Sequence, residues 1–139
     1  MFRSVILSML LLFSLFAGDF EKGLKAYNQG DYKTAIKLWK PLAKQGDPYA
    51  QYNLGLMYGN GRGVKQDYKE AVKWYTLAAK QGDPKAQYNL GVMYVSGKEV
   101  PQNKIKAYEW WLKAARQGEQ KAQHNLDILC RQSPWACQK

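Results

Sequence analysis

Apolar residues recur at helical spacing over most of the chain. Ala35, Leu38, Trp39 and Leu42 follow one another at i, i+3, i+4 and i+7, which is one face of a helix. Ala50, Leu54, Met57 and Tyr58 make a second such face, and Ala71, Trp74, Tyr75 and Ala78 a third. Stop and start signals separate the runs. Gln45-Gly46, Gln81-Gly82 and Gln117-Gly118 each place a glycine just past a helix end, where positive φ is needed. Asp47-Pro48 and Asp83-Pro84 come next, a capping carboxylate followed by a residue suited to the first helical turn. Glu119-Gln120 takes their place in the last unit, and Gly30-Asp31 breaks the first helical pair. The pattern predicts an all-α chain of helical hairpins at 19–46, 47–82 and 83–118. A capping segment at 119–139 follows, helical over 122–131 and ended by Ser133-Pro134.

The stretch AQYNLGLMYGNG, Ala50 to Gly61, returns 36 residues later as AQYNLGVMYVSG, Ala86 to Gly97. It decays to AQHNLDILC at Ala122 to Cys130. Residues 48–83 and 84–119 agree at 18 of 36 positions, and the identities fall on helix-packing and turn positions. Alanines hold equivalent places, at 35, 71 and 107 and again at 43, 79 and 115, where small side chains let two helices approach. A period of this length means stacked hairpins, none able to bury its apolar face alone. Between the helices, GNGRGV (59–64) and VSGKEV (95–100) share only Gly61/Gly97 and Val64/Val100, a turn glycine and a buried anchor. No strand precedes these loops and no Lys-Ser/Thr follows, so they do not read as phosphate loops. Asp127 stands where Gly55 and Gly91 stood, and Cys130 replaces Tyr58 and Tyr94, as an end unit facing water permits.

The beginning of the chain breaks this pattern. Met1-Phe2-Arg3, the apolar run Val5 to Phe16 and Ala17-Gly18 form the three-part pattern of a secretory signal peptide, residues 1–18. The run is shorter than the roughly 20 residues a membrane helix needs, so no transmembrane span is expected after cleavage. An uncleaved anchor is the alternative. Export implies a periplasmic or secreted protein. In that setting Cys130 and Cys137, seven apart across a proline turn, are expected to form a disulfide that pins the tail to its helix. Their spacing matches no metal site, and neither metal nor cofactor is expected.

The balance of 46% hydrophobic and 23% charged residues is that of a folded domain rather than a disordered one. A formal charge of +10 raises the question of an acidic partner. Lys33, Lys37, Lys40 and Lys44 run at i, i+4, i+7 and i+11 on one helix, with Lys69, Lys73 and Lys80 in matching places on another. This outward stripe is either a solvated face that keeps the protein soluble or a contact for an anionic surface, whether lipid, polymer or protein. Nucleic acid is not expected as the partner of an exported chain. Catalysis finds little support. His124 is the only histidine and has no carboxylate beside it in sequence, and Ser-x-x-Lys, His-Glu-x-x-His and Gly-x-Ser-x-Gly are all missing.

The run AQYNLGxMYxxGxGV followed by DYKEAVKWYxxAAxQGD resembles the Sel-one-like repeat (SLR) family, a relative of the tetratricopeptide repeat. The resemblance extends over Asp19 to Lys139, although the first hairpin has a shorter turn, Tyr27 to Tyr32. It implies an α/α right-handed superhelical solenoid whose first helices line a concave groove, and an adaptor that holds a protein or peptide partner there. On that geometry Tyr49, Tyr52 and Leu56 line the groove. Lys85, Tyr88 and Val92 follow one repeat later, and Lys121, His124 and Ile128 one repeat after that. Their i, i+3, i+7 spacing lies opposite the Leu54/Tyr58 face. The tyrosines could equally pack against the neighbouring repeat, since an amphipathic ring suits either use. Asn53, Asn89 and Asn125 form a parallel series that bonds either the next helix or a bound peptide backbone. The family offers two further readings. One is the penicillin-binding or β-lactamase-like activity of its cysteine-rich exported branch; the other is an immunity-like protein that neutralises an envelope toxin.

Overall fold

The computed structural model describes residues 18–98 and 100–138. The segment expected to be a signal peptide, residues 1–18, lies outside them except for Gly18. Helix α1 covers residues 18–28, followed by α2 (Tyr32–Lys44), α3 (Pro48–Asn60), α4 (Tyr68–Lys80), α5 (Pro84–Ser96), α6 (Lys104–Arg116) and α7 (Gln120–Gln132). A 3-10 turn, Pro134–Cys137, closes the chain, and no strand occurs among the described residues. Each helix from α3 onward packs on the one before it, Trp39 of α2 meets Phe20 of α1, and the result is an all-α repeat solenoid of three hairpins with α7 as the end piece. No helix among the described residues is long and apolar enough to cross a membrane.

The capping signals work as their chemistry predicts. Asp47 and Asp83 carboxylates accept from the Ala50 and Ala86 amides at 2.8 and 2.7 Å, with Pro48 and Pro84 in the first turns. Asp67 and Asn103 cap α4 and α6 in the same way. Glu119, one methylene longer, makes no such bond at the start of α7. The preceding junction glycines, Gly46 and Gly82, both sit at φ +102°, outside the ordinary reach of a side chain. Helix α7 runs two residues further toward its start and one further toward its end than the apolar pattern alone marks.

Three clusters of buried side chains succeed one another along the stack, with Trp39, Tyr75 and Trp111 at equivalent positions in them. Each ring is seated against a glycine of the partner helix. A Cβ added at Gly23 would lie 2.4 Å from Trp39, one at Gly55 2.5 Å from Tyr75, and one at Gly91 2.2 Å from Trp111. The glycines are sockets, and the hairpin cannot close without them. The Trp39 and Trp111 indole N–H groups donate to the carbonyls of Phe20 and Tyr88, at 3.2 and 3.0 Å. In α7 the socket position holds Asp127, which accepts a hydrogen bond from Gln123.

A series of glutamines ties hairpin to hairpin. Gln51, buried, donates to the Ala43 carbonyl at 3.0 Å and accepts from Gln81 at 2.8 Å; Gln81 also donates to the Gly46 carbonyl. One repeat on, buried Gln87 donates to Ala79 at 3.1 Å and accepts from Gln117 at 2.9 Å. Buried amides of this kind must be paired, because an unmade bond costs about 1–3 kcal/mol. Gln81 and Gln117, each the residue before a junction glycine, therefore help to fix the register of stacking. A second pair, Gln66 and Gln102, donates to the end carbonyls Gly59 and Val95 and holds the loop between the two helices. At the far end Cys130 and Cys137 are joined as a disulfide with Cα atoms 5.7 Å apart. Buried Ser133 accepts from Lys104 of α6, so the tail is tied to both α6 and α7.

Candidate functional site

The first helices of successive hairpins are separated by two cavities of one design. The first, 310 Å³, takes Leu56 from α3, Tyr75 from α4, and Asn89, Val92, Met93 and Ser96 from α5. The second, 260 Å³, takes Val92 from α5, Trp111 from α6, and Asn125, Ile128, Leu129 and Gln132 from α7. Each of these six stands 36 residues after its counterpart in the first cavity. Val92 belongs to both, so the two cavities meet at that side chain in a stepped trough. The socketed ring of each hairpin, Tyr75 or Trp111, is part of its wall while remaining almost wholly buried.

Of the nine positions expected to line a groove, the structure gathers Leu56, Val92 and Ile128 at these cavities. Leu56 and Ile128 are half-buried, and Val92 is 39% exposed. Tyr52 and Tyr88 belong to neither cavity. Tyr52 is half-buried with its ring 5.9 Å from that of Tyr75, and Tyr88 packs against the third cluster while its carbonyl receives the Trp111 N–H. Between lining a surface and packing a hairpin, these two rings are engaged in packing. His124, the third member of that row, is exposed on α7. Tyr49 is 65% exposed and meets Phe20 edge-on at 6.3 Å; Lys85 and Lys121 are exposed at the matching positions. Lys33, Lys37, Lys40 and Lys44 all lie exposed on α2.

The polar members of the trough are Asn89 and Asn125, one per step. Asn89 lies beside the hydroxyls of Tyr52 and Tyr75. Burial pushes the Tyr75 hydroxyl far above the usual phenol range, with nearby Tyr52 adding to the effect and Asn89 opposing it. Tyr52 is raised mainly by burial and then by the Asp83 carboxylate. Both hydroxyls therefore stay protonated at neutral pH. A wall of aliphatic side chains and buried rings carrying one amide per repeat suits an extended polypeptide, whose side chains need apolar cover and whose backbone needs a partner. Among the described residues no three His, Cys, Asp or Glu side chains come together as a metal site.

Sequence periodicity finds Leu56, Val92 and Ile128 because their exposure follows from helical geometry. The aromatic share of the wall escapes it. Tyr75 and Trp111 read as core, and they are core, yet one edge of each reaches the cavity.

The comparisons with known proteins agree with this architecture. The Sel1 repeat model matches residues 16–47, 48–83 and 84–119. Among solved structures, c5321, described as a protective antigen of uropathogenic Escherichia coli displaying an SLR fold, is 38% identical with a TM-score of 0.79. A Sel1 repeat protein from Oxalobacter formigenes is 34% identical with a TM-score of 0.76. These matches cover 84% and 79% of this chain but only 26% and 45% of those proteins, so the chain spans a minor part of their length. Among curated proteins nothing matches. With three consecutive repeat matches over most of its length and the solenoid they encode, the chain belongs to the Sel1 repeat family.

Proposed function

We propose that this protein is an exported scaffold that holds an extended segment of a partner protein in the trough along α3, α5 and α7. The observation that carries the reading is the repetition of one cavity at a 36-residue step, with Leu56, Val92 and Ile128 in line. The repeat alone makes a cavity recur; what supports binding is that Leu56, Val92 and Ile128 stay aliphatic while only partly buried, with one asparagine beside them at each step. Sel1 repeats are in general protein–protein interaction modules, which agrees with a surface that binds and does not react. Tyr49, Lys85 and Lys121 form the exposed rim, where charge steers encounter more than it adds affinity. The disulfide at Cys130–Cys137 and the leader-like first 18 residues support action in an oxidising compartment, periplasmic or outside the cell.

Val92 gives the test, because it belongs to both steps yet lies on the surface. Val92→Asp places a carboxylate in the middle of the apolar trough and is expected to abolish partner capture from an envelope extract, with the melting curve within a few degrees of the parent. Lys33→Glu, away from the trough, is the control. Undiminished capture by Val92→Asp removes the trough from the account.

A further inference from the structure

A larger, charged cavity lies elsewhere, between the second helices of the first two hairpins. It measures 890 Å³ and is walled by Lys40 and Lys44 of α2 and by Lys73 and Lys80 of α4. Glu70 is the one carboxylate among its lining residues. Apolar surface from Tyr58, Trp74 and Leu77 completes it. Three of the four lysines have a reason to be there without any ligand. Lys44 and Lys80 stand in the last turns of their helices, where a cation offsets the negative helix end. Lys40 stands earlier in its helix and lacks that reason, whereas Lys73 has another, its pairing with Glu70. Lys73 is held in place, 3.5 Å from Glu70 and 5.4 Å from the centre of the Trp74 ring. Trp74 is 5% exposed, and its buried Nε1–H has no acceptor among the described residues.

One repeat later the corresponding positions keep a basic excess in a different arrangement: Lys40 becomes Thr76, Leu77 becomes Lys113, whose Nζ settles 4.7 Å over the Trp110 ring, and Glu70 and Lys73 exchange signs as Lys106 and Glu109. What that junction lacks is the exposed apolar contact of Leu77. The lysine stripe expected from the sequence therefore divides: Lys40 and Lys44 face a partner helix across the cleft, whereas Lys33 and Lys37 are not among its walls.

We propose that this cleft is a second binding site, for an acidic peptide segment that carries a bulky apolar side chain between its carboxylates. Its size falls within the roughly 300–1,000 Å³ typical of ligand sites, far more than one ion needs. Lysine ammonium groups on both walls are point charges on flexible stems, able to meet carboxylates at several spacings. The indole and Leu77 supply the apolar contact between them. A membrane surface fits less well: interfacial helices expose a run of large apolar side chains beside their basic ones, and here Leu77, at 40%, is the exposed one. The site uses different helices from the trough, so its fate does not depend on that of the trough.

The test is binding of a fluorescent peptide of about ten residues alternating Glu and Leu to the whole protein at low salt. Saturable binding is expected, weakened roughly tenfold by Lys40→Gln with Lys73→Gln together, as two partly exposed ion pairs allow. Lys33→Gln with Lys37→Gln removes the same charge outside the cleft and is expected to change affinity less than twofold. Replacing every Glu of the peptide by Gln is expected to eliminate binding. Equal loss from both double variants would show a diffuse charge effect and overturn the proposal. So would no saturable binding, or binding to phosphatidylglycerol vesicles with none to the peptide. Melting curves of both variants establish that a loss is not unfolding.

Discussion

Gly91 tests the packing of the hairpin directly, because an alanine there and an alanine at Gly59 are expected to act with opposite sign. A Cβ at Gly91 would meet Trp111 Nε1, Cδ1 and Cε2 at 2.2, 2.3 and 2.7 Å, where ordinary contact begins at 3.4 Å. The indole must move by about 1 Å in a nearly closed site, and overpacking of this kind costs about 1–3 kcal/mol. That movement also endangers the 3.0 Å bond from Trp111 to the Tyr88 carbonyl, worth about 1 kcal/mol. Against this, alanine gains about 1 kcal/mol in helix propensity. The balance is a loss of about 2 kcal/mol, or a fall in Tm of roughly 7 °C for a domain of this size. At Gly59 the added Cβ would have Ala71 Cβ at 3.7 Å and Tyr75 Oη at 3.9 Å, which is ordinary contact. The propensity gain is then unopposed, and Gly59→Ala is expected to raise Tm by about 1–3 °C. Thermal unfolding followed by circular dichroism at 222 nm reads both. A Tm for Gly91→Ala at or above that of the parent would refute the socket argument.

Two further outcomes follow from the same contacts. The Cys130–Cys137 bridge closes a loop of separation seven, worth about 2.5 kcal/mol by loop entropy, so reduction is expected to lower Tm by several degrees. Thiol labelling of the denatured, unreduced protein is expected to find none, and two labelled cysteines would contradict the bridge. Tyr52 and Tyr75 have folded-state pKa values raised above the value of 10.0 that an unfolded tyrosine has. Their contribution is complete below pH 10 and is lost as pH rises beyond it, because the unfolded chain releases its protons first. Melts at about pH 9 and pH 11 are expected to show this fall, and Tyr75→Phe to flatten it; an unchanged slope in Tyr75→Phe would assign the fall to other groups.

What the sequence discloses here is what is local. Helix starts at Asp47 and Asp83 and the left-handed junction glycines depend on a few neighbouring residues, and they are where the pattern puts them. The repeat then multiplies one hairpin into a stack. Roles that depend on two distant segments meeting are harder to see. Gln81 reads as the residue before a stop signal, yet its amide reaches back to Gln51 at the start of its own hairpin and to Gly46 of the preceding one. Tyr52 and Tyr88 carry the right spacing for a groove, but Tyr52 meets the ring of Tyr75 and Tyr88 packs on the third buried cluster. The cleft between α2 and α4 needs Lys40 and Lys73 to face each other from helices more than 30 residues apart, which a one-helix stripe cannot express. Spacing within a helix fixes which face a residue takes; only the stack fixes what stands opposite.

The central claim is that the α3–α5–α7 face is where the partner lies. A photo-crosslinking amino acid placed at Val92 samples that face, and one at Lys33 samples exposed surface remote from it. Irradiated in an envelope extract, the Val92 position is expected to give a discrete adduct and the Lys33 position none. Equal adducts from both positions, or an adduct from Lys33 alone, would contradict the account.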